Sequence, residues 1–151
     1  MKKKIIITGG LGYIGTELCK IYSGISWNNK IIVIDNRFIS ERVNQLRSWN
    51  IEFVHGDILD KDLIAKYCTD ADIVHHLAGI TDVPRTKSEA SIEKDQKIKL
   101  VAEKGTENIL SSISKHCKII LPSTHVVYEG IEKVKNDINE DEETKPVLSY
   151  S

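Results

Sequence analysis

At 151 residues, with 40% hydrophobic and 28% charged content, the chain has the size and balance of one globular domain with a sizeable core. A formal net charge of −1 gives no basic excess for a phosphate backbone or an anionic bilayer, so nucleic acid and membrane surfaces are disfavoured as partners. No apolar stretch approaches the ~20 residues that span a bilayer, and Cys19, Cys68 and Cys117, odd in number and without CxxC spacing, suit reduced thiols in a cytoplasm.

The chain starts Met1-Lys2-Lys3-Lys4, like the charged end of a signal peptide, but Ile5-Ile6-Ile7 gives way at once to Thr8-Gly9-Gly10. This reads as a first strand, 3–8, entering a turn. The turn is Thr8-Gly9-Gly10-Leu11-Gly12-Tyr13-Ile14-Gly15, placed where a strand passes into a helix predicted over 13–22. There a glycine at 9 permits the tight bend, one at 12 lets backbone N–H groups approach a pyrophosphate, and one at 15 lets helix and strand pack closely. The helix N-terminus faces the phosphates with unpaired donors and the positive end of its dipole.

A second strand, 30–35, ends on Asp35, twenty residues beyond Gly15, where a carboxylate can accept hydrogen bonds from both hydroxyls of an adenosine ribose. Such a carboxylate repels a 2′-phosphate, which favours NAD over NADP. Arg37 reads two ways, as a guanidinium that receives a phosphate bidentately or as an exposed loop arginine.

A helix over 40–48, a strand over 51–55, a helix over 60–67 and a strand over 72–78 follow. His75 and His76 are adjacent on that strand, so they point to opposite faces and cannot chelate one ion together; His55, His116 and His125 are isolated, and no metal is expected. The next helix, 89–115, carries Ile98, Val101, Ala102, Gly105, Ile109 and Ile113 on one stripe, with Glu93, Lys94, Lys97, Lys99, Glu103 and Lys104 outward. A fifth strand is predicted over 118–123. The segment from Glu129 to Lys145 is acidic and weakly patterned, and reads as a solvated loop or short helical turn. The strands are mostly apolar along their length, as strands covered on both faces are. Repeated strand–helix–strand units imply right-handed crossovers and a doubly wound parallel α/β sheet, the Rossmann arrangement, with no internal repeat and no Gly/Ser linker.

Five stretches, TGGLGYIG (8–15), DN (35–36), HGDI (55–58), HHLAG (75–79) and STHVVY (123–128), resemble in order and spacing the extended short-chain dehydrogenase/reductases of the nucleotide-sugar epimerase/dehydratase family. The resemblance implies an NAD(P)-binding Rossmann domain, with the family's smaller substrate domain absent from these residues. Carried over by position, it implies Tyr13 and Ile14 beside the pyrophosphate, Asp35 and Asn36 at the adenosine ribose, and Asp57 and Ile58 at the adenine edge. It puts Leu77, Ala78 and Gly79 under the nicotinamide-side ribose.

The family's reactive groups are a serine or threonine after the fifth strand and a Tyr-x-x-x-Lys pair. Thr124 matches the hydroxyl and Tyr150 the tyrosine, whose lysine would be residue 154, so a reading frame interrupted inside the catalytic motif is expected, able to bind NAD but with little turnover. A phenol is a poor base near neutral pH until a cation lowers its pKa. Tyr150 otherwise reads as an ordinary terminal tyrosine. In the full-length enzyme the resemblance implies that Tyr150 takes a proton from a sugar hydroxyl as hydride leaves the same carbon for NAD, with Thr124 bonded to the reacting oxygen.

His125-Val126 stands where the family's dehydratases carry Asp-Glu, which leaves an epimerase, or a reductase, ahead of a dehydratase. Glu129 interrupts the usual Tyr-Gly, and Ala102 stands where many members have asparagine. The competing class is a non-catalytic dinucleotide-binding module such as a redox sensor. A nucleotide sugar is the implied substrate of the full-length protein, and the 89–115 helix is a candidate homodimer seam.

Overall fold

The computed structural model describes residues 2–81, 92–132 and 137–147. Five strands form one parallel sheet in the order β3-β2-β1-β4-β5: β1 (Lys4–Thr8), β2 (Lys30–Asp35), β3 (Glu52–His55), β4 (Ile73–His76) and β5 (Lys118–Ile120). Among the described residues four α-helices alternate with them: α1 (Tyr13–Ser23), α2 (Ser40–Ser48), α3 (Lys61–Cys68) and α4 (Ile92–Ser112). The chain builds outward from β1 through β2 to β3, then returns to lay β4 on the other side of β1. The carboxyl end of β1 is thus the topological switch point, where ligands of open α/β sheets lie.

Side-chain alternation divides the core between the two faces. Ile5, Ile7, Ile31 and Val33 pack with Cys19 of α1 and with Val43 and Leu46 of α2. Ile6, Ile32, Ile34 and Val74 pack with Ile64 and Cys68 of α3 and with Ile109 of α4. Because both faces are covered, near-continuous isoleucine runs are the stable solution for β1 and β2.

Element boundaries follow local chemistry. Asp60 lies outside α3, contrary to the helix read over 60–67: it is the N-cap, and its carboxylate accepts the Leu63 N–H at 3.0 Å. The strand read over 72–78 stops at His76, because the Leu77 and Ala78 N–H groups turn to Thr8, at its carbonyl and its hydroxyl. The strand read over 118–123 ends at Ile120, two residues before Pro122, which has no N–H to extend a ladder. In α4 the stripe shifts. Ile98, Gly105 and Ile109 are buried, but Ala102 is exposed and Asn108, not on the predicted stripe, is buried. The buried arc is rotated toward the loop ahead of α3, where the Asn108 amide donates to the Ile58 and Leu59 carbonyls at 3.0 and 3.2 Å. Residues 89–91 of the predicted helix lie outside the described residues.

Candidate functional site at the carboxyl edge of the sheet

The glycine-rich turn leaves β1 through Gly9, whose φ of +69° is in the left-handed region that glycine adopts without strain. A Cβ there would also sit 2.7 Å from the Ala78 backbone nitrogen, so the turn and the 77–79 segment touch backbone to backbone. At Gly15 an added Cβ would come within 2.5 Å of the Gly9 carbonyl oxygen, the close approach of α1 to the turn. Gly12 differs: apart from the Gly9 carbonyl at 3.0 Å and the Arg37 guanidinium at 3.6 Å, its Cβ position is open. At Gly79 a Cβ would meet nothing within 4 Å. Two of these glycines are therefore closed off by protein and two border free space.

The N-terminus of α1 is left without a side-chain cap, since its N-cap residue is Gly12. The first-turn N–H groups of a helix have no intrahelical acceptors. Tyr13 and Ile14, 85% and 63% exposed, stand in that first turn. Open space beside Gly12, uncapped donors and a positive dipole end fit a diphosphate.

Asp35 ends β2 and is 4% exposed. Each carboxylate oxygen accepts one backbone and one guanidinium N–H. Oδ2 takes the Leu11 N–H at 2.9 Å and Arg37 Nη2 at 3.2 Å; Oδ1 takes the Arg37 N–H at 3.0 Å and its Nε at 3.2 Å. In this structure Arg37 is half-exposed and paired with the acid, so it is neither a simply exposed loop arginine nor an unpartnered guanidinium. Arg42 of α2 adds a second guanidinium, donating to the Leu11 carbonyl.

Beyond this corner, Asn36 donates from its amide to Asp57 at 3.0 Å and accepts from His55 Nε2 on its carbonyl at 3.0 Å. Asp57 also accepts the Leu59 N–H at 2.9 Å, which fixes the bend that buries Ile58. Asp35, Asn36, Asp57 and Ile58 thus border one another across the ends of β2 and β3.

On the β4 side, Thr8 is fully buried; its hydroxyl accepts the Ala78 N–H at 3.2 Å and lies 2.8 Å from His76 Nδ1. His76 Nε2 is 3.1 Å from the Thr106 hydroxyl of α4. Donor counting assigns the ring: the Thr8 O–H needs an acceptor, so Nδ1 is unprotonated and Nε2–H donates to Thr106. Burial pushes His76 below the ordinary histidine pKa, in keeping with a neutral ring. His75 points to the opposite face, 2.7 Å from the Tyr22 hydroxyl, and burial together with the Lys118 charge lowers its pKa too. Among the described residues no three His, Cys, Asp or Glu side chains converge on one point.

Thr124 follows β5 and caps a 3₁₀ turn, His125–Tyr128, its hydroxyl accepting the Val126 N–H at 3.3 Å. The tail folds back on this turn through Lys145 N–H to the Val127 carbonyl at 2.8 Å and Gly130 N–H to the Lys145 carbonyl at 2.9 Å. An open cleft of about 420 Å³ lies between His125, Val126, Tyr128, Glu129 and Ile138, and its lining includes none of the glycine-turn residues. Tyr150 lies outside the described residues. The residues that sequence reasoning did not single out are Leu11, Arg42, Thr106 and Asn108. Their contributions are backbone groups or partners supplied across the fold, for which neither motif nor spacing carries a signal.

A parallel sheet in 3-2-1-4-5 order, with a glycine turn and an acid at its switch point, defines a Rossmann-type dinucleotide-binding fold. The chain belongs to the 3-beta hydroxysteroid dehydrogenase/isomerase family, whose sequence profile matches residues 6–150. Among curated proteins it is 36% identical over 143 residues to the CDP-paratose 2-epimerase of Salmonella typhi, covering 87% of this chain and 40% of that protein. Its fold is similar to that of UDP-N-acetylglucosamine 4-epimerase from Methanobrevibacter ruminantium M1, solved in complex with UDP-N-acetylmuramic acid (TM-score 0.76, 27% identity, 99% of this chain and 46% of that one). It is also similar to UDP-glucose 4-epimerase from Bifidobacterium longum, solved with NAD+ and UDP (TM-score 0.77, 25% identity, 98% of this chain and 44% of that one). These relatives are the nucleotide-sugar enzymes that the five motifs resemble. The chain spans about two fifths of the length of the curated relatives it matches, 40% of one and 36% of another. No helix among the described residues is long and apolar enough to cross a membrane.

Proposed function

We propose that this chain is the NAD-binding part of a nucleotide-sugar epimerase. The observation that carries the reading is the junction of Leu11 and Asp35: a buried carboxylate, tied to the glycine turn by a 2.9 Å hydrogen bond, stands beside an uncapped helix N-terminus at the switch point. In this reading the first-turn N–H groups of α1 hold the diphosphate, and Asp35, with Asn36 beside it, accepts the adenosine ribose hydroxyls. Asp57 and Ile58 form the adenine edge. Leu77, Ala78 and Gly79, the last with free space where a Cβ would be, lie under the second ribose.

Bound NAD supplies a hydride acceptor and donor. Thr124 hydrogen-bonds the reacting sugar oxygen and Tyr150 carries its proton, with a cation beside the phenol needed for that step. Substrate and turnover belong to the whole protein. NAD is favoured over NADP because the Asp35 carboxylate opposes a 2′-phosphate. The three free thiols fit a reducing cytoplasm, and exposed Ile92, Leu100 and Leu110 support a homodimer through α4, which sedimentation would reveal.

Calorimetric titration with NAD tests the reading. A single saturable site is expected, weakened at least about tenfold by Asp35→Ala, the scale of a lost charge-assisted pair of hydrogen bonds. Absence of NAD binding overturns it. For the epimerase step, the intact protein with NAD and a nucleotide sugar should form the epimer without accumulating NADH; a stoichiometric rise in NADH would indicate a dehydrogenase instead.

A further inference from the structure

We propose that Arg37 sets how strictly this site excludes a 2′-phosphate, by capping Asp35 in the free protein and turning outward onto that phosphate when NADP binds. The inference rests on the dinucleotide reading above and deepens it.

A carboxylate offers about four lone-pair positions. At Asp35 all four are used, two by backbone N–H groups of Leu11 and Arg37 and two by the Arg37 guanidinium. The backbone pair belongs to the fold and stays. Two ribose hydroxyls can therefore bond this carboxylate only where the guanidinium now lies, and ribose binding requires Arg37 to leave. Leaving is cheap. The Arg37 side chain is 54% exposed, against 3% for Asp35, and a half-solvated ion pair opens at a cost of no more than about fivefold in an equilibrium.

The destination follows from the same geometry. Nη2 lies 3.6 Å from the Cβ position of Gly12, so the guanidinium sits between the acid and the open side of the turn, at the rim of the ribose position. A displaced guanidinium on its flexible stem remains within reach of a group attached to the ribose. Its planar fork matches a phosphate dianion bidentately. Arg42, held on the Leu11 carbonyl, adds a second positive charge to the corner. Two guanidiniums stand against the Asp35 carboxylate and the Asp57 carboxylate held beyond Asn36, so the corner as a whole does not repel a 2′-phosphate as Asp35 alone would. NAD is preferred, but by a narrow margin that Arg37 creates.

The test is calorimetric titration of wild type, Arg37→Ala and Arg37→Lys with NAD and with NADP, with the far-UV circular dichroism of each variant as the folding control. Expected in Arg37→Ala is NAD affinity unchanged or up to about fivefold tighter, NADP affinity weaker by about tenfold or more, and Arg37→Lys intermediate. Equal weakening of both cofactors would overturn the proposal, since it would put the guanidinium on the pyrophosphate that both share. No change in either would overturn it as well. Failure of wild type to bind NAD at all would instead remove the dinucleotide reading, and this inference with it.

Discussion

Replacing His76 by phenylalanine should destabilise the fold and also remove a titration from it. The phenyl ring fills a similar volume, so cavity terms are small, but the fully buried Thr8 hydroxyl loses the ring nitrogen that accepts its proton and Thr106 loses a donor. Leaving one buried polar group unsatisfied costs about 1–3 kcal/mol, and each kcal/mol lowers the midpoint of a domain near this size by about 2–4 °C. A fall of about 4–8 °C near neutral pH is therefore expected for a central cost of about 2 kcal/mol. The sign of the pH effect follows from the lowered pKa. Burial favours the neutral ring in the fold, whereas the unfolded chain takes the proton near the ordinary histidine pKa of about 6.5, so the contribution of His76 is complete above that pH. On acidification the unfolded state gains the proton first, and stability falls by up to about 1.4 kcal/mol per pH unit per group until the folded pKa is reached. His75 adds a second term of the same sign. Thermal unfolding followed by circular dichroism from about pH 8 to about pH 5.5 should therefore show wild type losing stability more steeply than His76→Phe. Curves that run parallel, or a variant as stable as wild type at neutral pH, would refute both the assigned tautomer and the argument from an orphaned hydroxyl.

Gly15→Ala should lower the urea midpoint by the equivalent of about 1–3 kcal/mol, since the new Cβ would stand 2.5 Å from the Gly9 carbonyl oxygen and 2.6 Å from Gly10 Cα, neither of which is a flexible side chain; an unchanged midpoint would show that α1 shifts freely. Asn108→Leu, at a residue 2% exposed, leaves the Ile58 and Leu59 carbonyls without their amide donor and should cost about 1–3 kcal/mol. Faster amide exchange localised to the loop around Ile58 would identify the cause, and uniform exchange would argue against it. Among the thiols, burial pushes Cys19 up to about 12 and Cys68 up to about 11, so alkylation of the native protein near neutral pH should begin at half-buried Cys117, read by peptide mass. First labelling at Cys19 would show that α1 opens readily.

The strands and the switch point were legible because their signal is local. Isoleucine runs on β1 and β2 mark strands covered on both faces, and the glycine at 9 marks a bend whose backbone only glycine takes at low cost. Asp35 was readable at its strand end, and so in principle was its pairing with Arg37, because residues two apart in extended chain lie on one side. What spacing could not supply was the occupancy of the carboxylate, which depends on a Leu11 N–H from another strand's turn. Asn108 was missed for a different reason. Helical period admits it to the buried stripe of α4, but polarity argues against burial until two carbonyls are known to await it. Ala102 erred the other way, apolar and in phase, yet left outside because the buried arc turns toward the Ile58–Leu59 loop.

The buried polar residues of this chain are not scattered. Of Thr8, Ser26, Asp35, His75, His76 and Asn108, four join one segment of the site to another: Asp35 to the Leu11 turn, Thr8 to Ala78, His76 to Thr8 and Thr106, and Asn108 to Ile58 and Leu59. None of the buried side-chain polar atoms among the described residues lacks a partner. Valine or leucine at these positions would fill the space without needing partners, and buried polar groups gain little net stability even when satisfied. Their effect is instead positional. Each holds a loop at the carboxyl edge in register with its neighbour, across sequence separations of 24 residues for Leu11 and Asp35 and 70 for Thr8 and Ala78. Loosening one bond therefore moves a loop of the proposed cofactor site, and on that proposal variants such as His76→Phe or Asn108→Leu should lose cofactor affinity along with stability, even though neither side chain is assigned to the ligand.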